Sequence, residues 1–426
     1  MNFSASLDYL YGLQRFGVKL GLENMQALKD RLPLLQEPFP CIHIAGTNGK
    51  GSVSALLAEI LKQSGLRVGL YTSPHLHCFT ERIRIDGVPV DRGEIVLLAE
   101  TIRQASGDIP VTFFEATTAM ALLAFKLHQV DIAVIETGLG GRLDATNIVE
   151  PQLCLITPIS LDHSEHLGDC LTAIAGEKAG IIKPAVPVVV GKQSPAAVEV
   201  IQAAADKHDA VVHLAEHDYN WQGDHENLSI SVGTNRFCGL TCALNGEHQL
   251  DNFAQAVAAA MQLREQGVAI TDAAIGEAGN SVVWPGRLEW WGPSRQVLLD
   301  VSHNYAGISC LADYLDKQKI ARIHLVTGLS GQRDPAEVLM PLAKYAVTVY
   351  SVPVPHGQFV PTAQLVAWAE KQGLPVSAFV TADEGLSAAL EGAGDKEPVV
   401  VCGSLYLVAA LRQKMLDEKW KSAVGL

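Results

Sequence analysis

The stretch CIHIAGTNGKGSVSALLAEILKQSG, Cys41 to Gly65, decides how the rest of the chain reads. Its first part, CIHIAGT, is a near-continuous apolar run, as expected of a strand covered on both faces of a parallel sheet. Its second part carries Val53, Leu56, Leu57, Ile60 and Leu61 at helical spacing, and Gly65 is placed to stop a helix over Gly51 to Gly65. Gly46, Thr47, Asn48, Gly49, Lys50, Gly51 and Ser52 fill the junction between the two. Glycines at such a junction let backbone N–H groups close around phosphate oxygens, the helix N-terminus adds positive potential, and a lysine supplies a mobile charge. The common formula GxxxxGK[ST] is nevertheless broken, because Gly51 follows Lys50, the serine comes one place later and Ile44 stands where the first glycine belongs. The physical requirements are met although the formula is not, so these seven residues are expected to bind phosphate.

Working outward, RVGLYTS (67–73) completes a strand–loop–helix–strand unit, and VTFFEA (111–116), IAVIETG (132–138), LCLITPIS (153–160) and VPVVVG (186–191) read as further buried strands. The segment from about Ala210 to Leu244 is more polar and reads only as strands and loops. After VVWPGRLEWWGPSRQ (282–296), a second series of strand-like runs alternates with helix-like segments: VLLDVSH (297–303), RIHLVTG (322–328), VTVYSVPV (347–354), SAFVTA (377–382) and VVVCGS (399–404). The expected fold class is α/β. A P-loop ATPase-like domain with a mainly parallel sheet spans 1–281, a linker spans 282–296, and a smaller Rossmann-like α/β domain spans 297–426.

Three of the strand ends carry polar side chains. Glu136 closes IAVIE, His163 follows LCLITPIS and Ser73 follows RVGLYT. Open α/β sheets place their sites at that edge, so a carboxylate, an imidazole and a hydroxyl would face one cleft.

Composition removes several classes of function. A chain of 426 residues, 48% hydrophobic and 18% charged, has ample material for two or three domain cores. The net charge of −14 disfavours a nucleic-acid partner, which needs concentrated positive charge, while leaving small anionic substrates open. No apolar run is long enough for a membrane span, and the start, MNFSASLDYLYGLQRFG, lacks the layout of a signal peptide. A cytoplasmic protein with no membrane partner is the expectation, and a monomer the default. The eight cysteines (41, 78, 154, 170, 238, 242, 310 and 402) include no CxxC pair and read as reduced, mostly buried thiols.

The loop GTNGKGS, followed in order by TSPH (72–75), FFEATTAMA (113–121), ETGLGGRLDATN (136–147), LDHSEHLG (161–168), GEKAGIIK (176–183), DVSHN (300–304) and VCGSLYLV (401–408), resembles the folylpolyglutamate synthase / dihydrofolate synthase family of the Mur ligase superfamily. In that superfamily the phosphate loop carries a glycine after its lysine. The resemblance implies an ATP-dependent carboxylate–amine ligase. ATP is the co-substrate, and the small-molecule substrates are dihydropteroate, reduced folates and L-glutamate, joined through an acyl phosphate. It implies Mg²⁺ held by Ser73, Glu136 and His163, leaves room for a monovalent cation, and matches Lys178 to a lysine that the family carbamylates. Lys50, Lys178 and His163 would then be the catalytic groups. Asp300 and His303 match ATP-contacting positions of the second domain, Arg287 a phosphate-facing cation at the junction, and Asn252 an adenine-contacting asparagine. DVSHN departs from the family's usual DGAHN or DVAHN at Ser302, and GLSGQRD (328–334) places Arg333 where a lysine is usual, so no role is carried onto Arg333.

On the folate side, Asp144 stands where a carboxylate would accept from a pterin's N–H groups, Phe114 where a ring would lie on its face, and Arg82 where a cation would meet the glutamate or pteroate end. The segment GVKLGLENMQALKDRL (17–32) resembles DLGLERV of the bifunctional members, whose mobile loop helps form a dihydropteroate pocket. Folate-restricted glutamylases carry a GLExM-like run as well, so a single-function polyglutamylase stays open. So does a nucleotide-binding switch without turnover. A cell-wall precursor ligase fits worse, since such enzymes carry a further domain ahead of the loop and 45 residues precede Gly46 here.

Overall fold

A computed structural model describes residues 1–16, 21–292, 296–355, 357–394 and 396–420. Of the 17–32 segment, Gly17 to Leu20 therefore lie outside the described residues, as do 293–295 of the stretch expected to link the domains. The chain divides into two compact units, Met1–Ala243 with Gln249–Val283, and Leu244–His248 with Trp284–Leu426.

The first unit is built on eight strands: β1 (Cys41–Ala45), β2 (Val68–Tyr71), β3 (Ile83–Ile85), β4 (Val88–Pro89), β5 (Ile132–Glu136), β6 (Leu153–Ile156), β7 (Val188–Val190) and β8 (Val212–Leu214). They lie in the order β4-β3-β2-β5-β1-β6-β7-β8. All pairings are parallel except those of β3 with β2 and with β4. β1, β5 and β6 are buried at every residue, which is why their sequences run apolar rather than alternating. From β1 the chain crosses to β2 on one side, and from β6 it proceeds to β7 on the other, so the β1/β6 boundary is a topological switch point. The polar stretch after β8 forms a small antiparallel sheet of β9 (Tyr219–Gly223), β10 (Leu228–Val232) and β11 (Asn235–Leu240).

The helix after β1 runs Lys50–Gln63 and buries Val53, Leu56, Leu57, Ile60 and Leu61 completely. Ser64 closes it, and Gly65 at φ +86° turns the chain away.

One expectation fails. VTFFEA is not a strand; Phe113–Leu127 is a helix capped by Thr112. The Thr112 hydroxyl accepts from Glu115 N (3.2 Å) and the Glu115 carboxylate accepts from Thr112 N (2.7 Å). This reciprocal capping box outweighs the β propensity of Val-Thr-Phe-Phe.

The second unit holds β12 (Glu289–Trp291), β13 (Val297–Leu299), β14 (Ile323–Thr327), β15 (Ala346–Ser351), β16 (Val376–Ala378) and β17 (Val399–Cys402), ordered β12-β13-β17-β14-β15-β16. The sheet is parallel apart from the antiparallel edge strand β12, which lies inside the stretch read from sequence as a linker. All eight cysteines are free; Cys41, Cys154, Cys242 and Cys402 are buried, Cys78 and Cys310 partly so, and Cys170 and Cys238 exposed, so half of the set expected to be mostly buried is fully so.

Candidate active site

The loop from Gly46 to Ser52 leaves β1 at the switch point and is pinned to the chain that leaves β6. Thr47 N and Asn48 N both donate to the Pro158 carbonyl, at 3.0 and 3.2 Å. The Thr47 hydroxyl donates to Ser160 O and accepts from Ser160 N, both at 3.1 Å, and the Asn48 amide donates to the Ser160 hydroxyl at 3.2 Å. Gly46 at φ +150° lies so close to Thr157 that a Cβ would fall into its hydroxyl. Gly49 takes φ +87°, and a Cβ there would stand 2.6 Å from Asn252 Oδ1. Gly46 and Gly49 are thus required by backbone conformation and by close approach. Past Gly49, the N–H groups of Lys50, Gly51 and Ser52 begin a helix and have no partner within it, an arrangement able to receive an anion.

Two lysines converge on one carbonyl. Lys50 Nζ curls back to donate to Gly46 O at 3.0 Å and Thr47 O at 3.2 Å, and Lys178 Nζ, from the helix Leu171–Ala179, donates to the same Gly46 O at 2.7 Å. Lys178 is buried, and desolvation, aided by the nearby Lys50 charge, brings its pKa down to about 7. Asp162 and Asp144 oppose that shift. Asp162, which the sequence reading passed over, therefore belongs to the electrostatic surroundings of this amine.

Glu136 sits in register with Ile44 at the end of β5, and Thr137 N donates to Ile44 O at 2.9 Å. Its carboxylate is buried and accepts from Ser73 N at 3.3 Å, so the structure brings Glu136 and Ser73 together. His163, on the segment after β6, has φ +52° and an exposed ring 3.7 Å from the Glu165 carboxylate. Among the described residues no three His, Cys, Asp or Glu side chains are grouped to hold a metal. One buried carboxylate beside a serine is still a donor set suited to Mg²⁺, which keeps several waters and takes other ligands from phosphate.

Asn252 is buried behind Gly49, donates to Gln249 Oε1 at 2.9 Å, and borders a cavity of about 120 Å³ together with Pro158, Gly191, Lys192 and Trp221. Asp251, also on the cavity wall, joins Lys192 (3.0 Å) to the Trp221 indole N–H (2.7 Å), an arrangement that no motif in the sequence announced.

On the other side of the loop, Asp144 is engaged within its own turn. Oδ2 accepts from Gly138 N and Leu139 N (2.9 and 2.8 Å), and Oδ1 from Thr146 N and the Thr146 hydroxyl (3.0 and 2.5 Å). These four donors set the course of the chain directly after Glu136, and a pterin reaching this carboxylate would share an oxygen that already holds two. Burial raises the Asp144 pKa against the pull of those donors. The Phe114 ring lies on Gly138, leaving no room there for a Cβ, and tilts toward Tyr71 with centroids 6.2 Å apart. The buried Arg82 donates to His75 Nδ1 at 2.9 Å and spreads its guanidinium over the rings of Phe113 (5.2 Å) and Phe79 (5.8 Å).

Residues 44–260 match the Mur ligase middle domain and residues 286–405 the glutamate ligase domain of the Mur ligases. The chain belongs to the Mur ligase family. Within it, this Mur ligase is 33% identical to the dihydrofolate synthase/folylpolyglutamate synthase of Bacillus subtilis, over 96% of the chain and 98% of that relative. It is also 33% identical to the folylpolyglutamate synthase of Lacticaseibacillus casei, over 98% of the chain and all of the relative. Among solved structures, Escherichia coli FolC in complex with DHPP and ADP superposes with a TM-score of 0.90 at 31% identity, covering 98% of this chain and 99% of that one. The Mur ligase is therefore an ATP-dependent ligase of the dihydrofolate/folylpolyglutamate synthase branch.

The middle-domain match contains the phosphate loop, Ser73, Glu136, His163, Lys178 and Asn252, and the glutamate ligase match contains Arg287, Asp300 and His303. In the second unit of this Mur ligase, Arg287 is held on a tight turn between Gly286 (φ +74°) and Leu288 (φ +46°). The buried Asp300 braces that turn by accepting from Leu288 N and from Ser302 N, each at 3.0 Å. His303 Nδ1 is 2.9 Å from the Val301 carbonyl, which fixes the ring close to the helix that begins at Tyr305.

Proposed function

We propose that the chain joins L-glutamate to the carboxyl group of dihydropteroate, forming dihydrofolate, and extends reduced folates to polyglutamates with the same machinery. The observation that carries this reading is the convergence of Lys50 and Lys178 on Gly46 O beside the buried Glu136–Ser73 pair, all at the C-terminal edge of one parallel sheet. With phosphates on the N–H groups of Lys50, Gly51 and Ser52, a carboxylate oxygen of the acceptor attacks the γ-phosphorus and ADP departs. The glutamate amine then attacks the carbonyl carbon of the acyl phosphate, loses its proton and expels phosphate. Little covalent work falls to the protein, so positioning and charge neutralisation dominate. Mg²⁺, when bound, neutralises phosphate charge; Glu136, Ser73 and His163 are the residues proposed to hold it. Lys50 follows the transferred phosphoryl charge. The Asn252 side of the loop, with the Trp221-lined cavity, suits the base of the nucleotide. Phe114 and the Arg82 cluster form the acceptor's side, and the Asp144 carboxylate keeps the turn after Glu136 in place. Arg287, Asp300 and His303 are proposed as the second unit's contribution to the nucleotide.

Lys178 is the proposed carbamate. A lysine attacks CO₂ only as the neutral amine, through its Nζ lone pair and with release of one proton, and a pKa of about 7 makes that form available. We further propose that the protein acts as a monomer on small anionic substrates; no helix of the described residues is long and apolar enough to cross a membrane.

Two measurements separate this reading from its rivals. Phosphate release should require both a folate-type acceptor and L-glutamate, whereas a nucleotide switch would hydrolyse ATP without regard to either. Glu136→Ala and His163→Ala should each raise the Mg²⁺ concentration needed for half-maximal rate while leaving thermal unfolding near wild type. An unchanged Mg²⁺ dependence in both would remove the shared site. A single-function polyglutamylase is the second reading, because the relative named only folylpolyglutamate synthase is as similar as the one named for both reactions.

A further inference from the structure

The helix Glu23–Arg31 reaches the acceptor's side through one buried polar residue, Asn24. Asn24, 6% exposed, spends both hydrogens of its amide on residues 86 and 91 positions away: Nδ2 donates to Pro110 O at 3.0 Å and to Glu115 Oε2 at 3.1 Å. Glu115, 2% exposed, is the same carboxylate that closes the capping box on Thr112 N at 2.7 Å. Its other oxygen, Oε1, is buried with no hydrogen-bond partner. Without the Asn24 amide, a fully buried carboxyl group would rest on the Thr112 N–H alone, a costly arrangement in a low-dielectric interior.

What this carboxyl group controls is the first turn of the helix Phe113–Leu127, and the two residues between Thr112 and Glu115 are Phe113 and Phe114. The Phe113 ring stacks on Tyr11 (centroids 5.5 Å apart, 15° between planes), meets Phe79 edge-on and lies under the Arg82 guanidinium. The Phe114 ring covers Gly138 in the turn after Glu136. A shift of this helix start would therefore move side chains against both the loop that follows β2 and the loop that follows β5.

We infer that Asn24 and Glu115 are a positioning pair that fixes the Phe113–Phe114 turn for binding of the pteroate-type acceptor, and so couples the N-terminal segment to acceptor choice. The hydrogen bonds of the pair described above run to Pro110 and Thr112, at the start of the helix, and not to the phosphate loop. The inference rests on the proposed assignment of this side of the site to the acceptor, and predicts a selective effect. Asn24→Asp places a second carboxyl group against Glu115 and should weaken dihydropteroate binding about tenfold, within the range of coupling measured for residues in one buried network. Binding of ATP should stay within about twofold of wild type. Asn24→Ala, which adds no buried charge, should act in the same direction. Exchanging the acid and the amide in the double variant Asn24→Asp/Glu115→Gln should recover most of the loss.

Calorimetric titration of the full chain with dihydropteroate and separately with ATP reads this directly, with thermal unfolding recorded for each variant. A loss confined to dihydropteroate and recovered by the exchange supports the pair. Equal losses for both ligands, unaltered dihydropteroate binding in the single variants, or no recovery in the double variant would overturn it. Wild-type protein that binds dihydropteroate without converting it would refute the first ligation but not this inference, which the titrations still decide; wild-type protein that does not bind it would overturn both.

Discussion

Lys50→Ala is expected to lower the rate of ligation on either acceptor by about 100-fold or more, with the fold intact. The lysine is the first residue of its helix, and its ammonium lies over the loop on Gly46 O and Thr47 O, contacts that hold it back over the turn where a γ-phosphate would sit. Its loss removes a fixed cation from the place where charge is transferred. Lys178 is tied to Gly46 O by its own hydrogen bond and is the amine whose charge burial suppresses. The core side chains of the helix, from Val53 to Leu61, are untouched by the substitution, so thermal unfolding should move little. Phosphate release measured with saturating glutamate and each acceptor in turn checks this. A variant within a few-fold of wild type on either acceptor would show that Lys50 does not carry the transferred charge.

Lys178→Ala should be as damaging, on the order of 100-fold, and should respond differently to rescue. If the amine works as a carbamate, a short carboxylate such as acetate or formate added to Lys178→Ala should restore part of the rate, whereas added amines should not. The wild-type enzyme carries a pH signature with a definite sign. The folded-state pKa is lowered to about 7, so the amine passes from mostly cationic below pH 7 to mostly neutral above it. Activity recovered by bicarbonate after CO₂ is stripped should accordingly rise between about pH 6 and pH 8, roughly following the neutral fraction. Bicarbonate stimulation that falls over that interval, or Lys178→Ala with wild-type activity, would leave Lys178 as a structural amine holding Gly46 O.

The phosphate loop was legible from sequence because its chemistry is local. Two glycines with special backbone requirements, a lysine and a helix start fall within seven consecutive residues, and the flanking apolar periods say which side is strand and which is helix. The strand-end positions of Glu136 and Ser73 were legible for the same reason, whereas His163 stands seven residues beyond Ile156, the last residue of β6, with its ring 3.7 Å from the Glu165 carboxylate. What stayed hidden depends on residues far apart in the chain. The pinning of Thr47 and Asn48 to Pro158 and Ser160 spans more than 100 positions, and the burial that lowers the Lys178 pKa comes from packing of a helix against a loop 132 positions earlier. Asp144 was visible as a carboxylate in a glycine-rich turn, but its four internal donors exist only once that turn closes. The segment VTFFEA carries its own local signal for helix: Thr112 and Glu115 stand three apart ahead of an apolar helical period, the signature of a capping box, which overrides the β propensity of the run.

Whether one phosphate site serves two ligations is decided by incubating the purified protein with ATP, Mg²⁺ and L-glutamate, once with dihydropteroate and once with tetrahydrofolate, and identifying the products by mass. Dihydrofolate from the first mixture and tetrahydrofolate carrying added glutamates from the second, both abolished by Lys50→Ala, is the predicted result. Glutamate addition to tetrahydrofolate with no detectable dihydrofolate in the first mixture would contradict it and reduce the protein to a polyglutamylase.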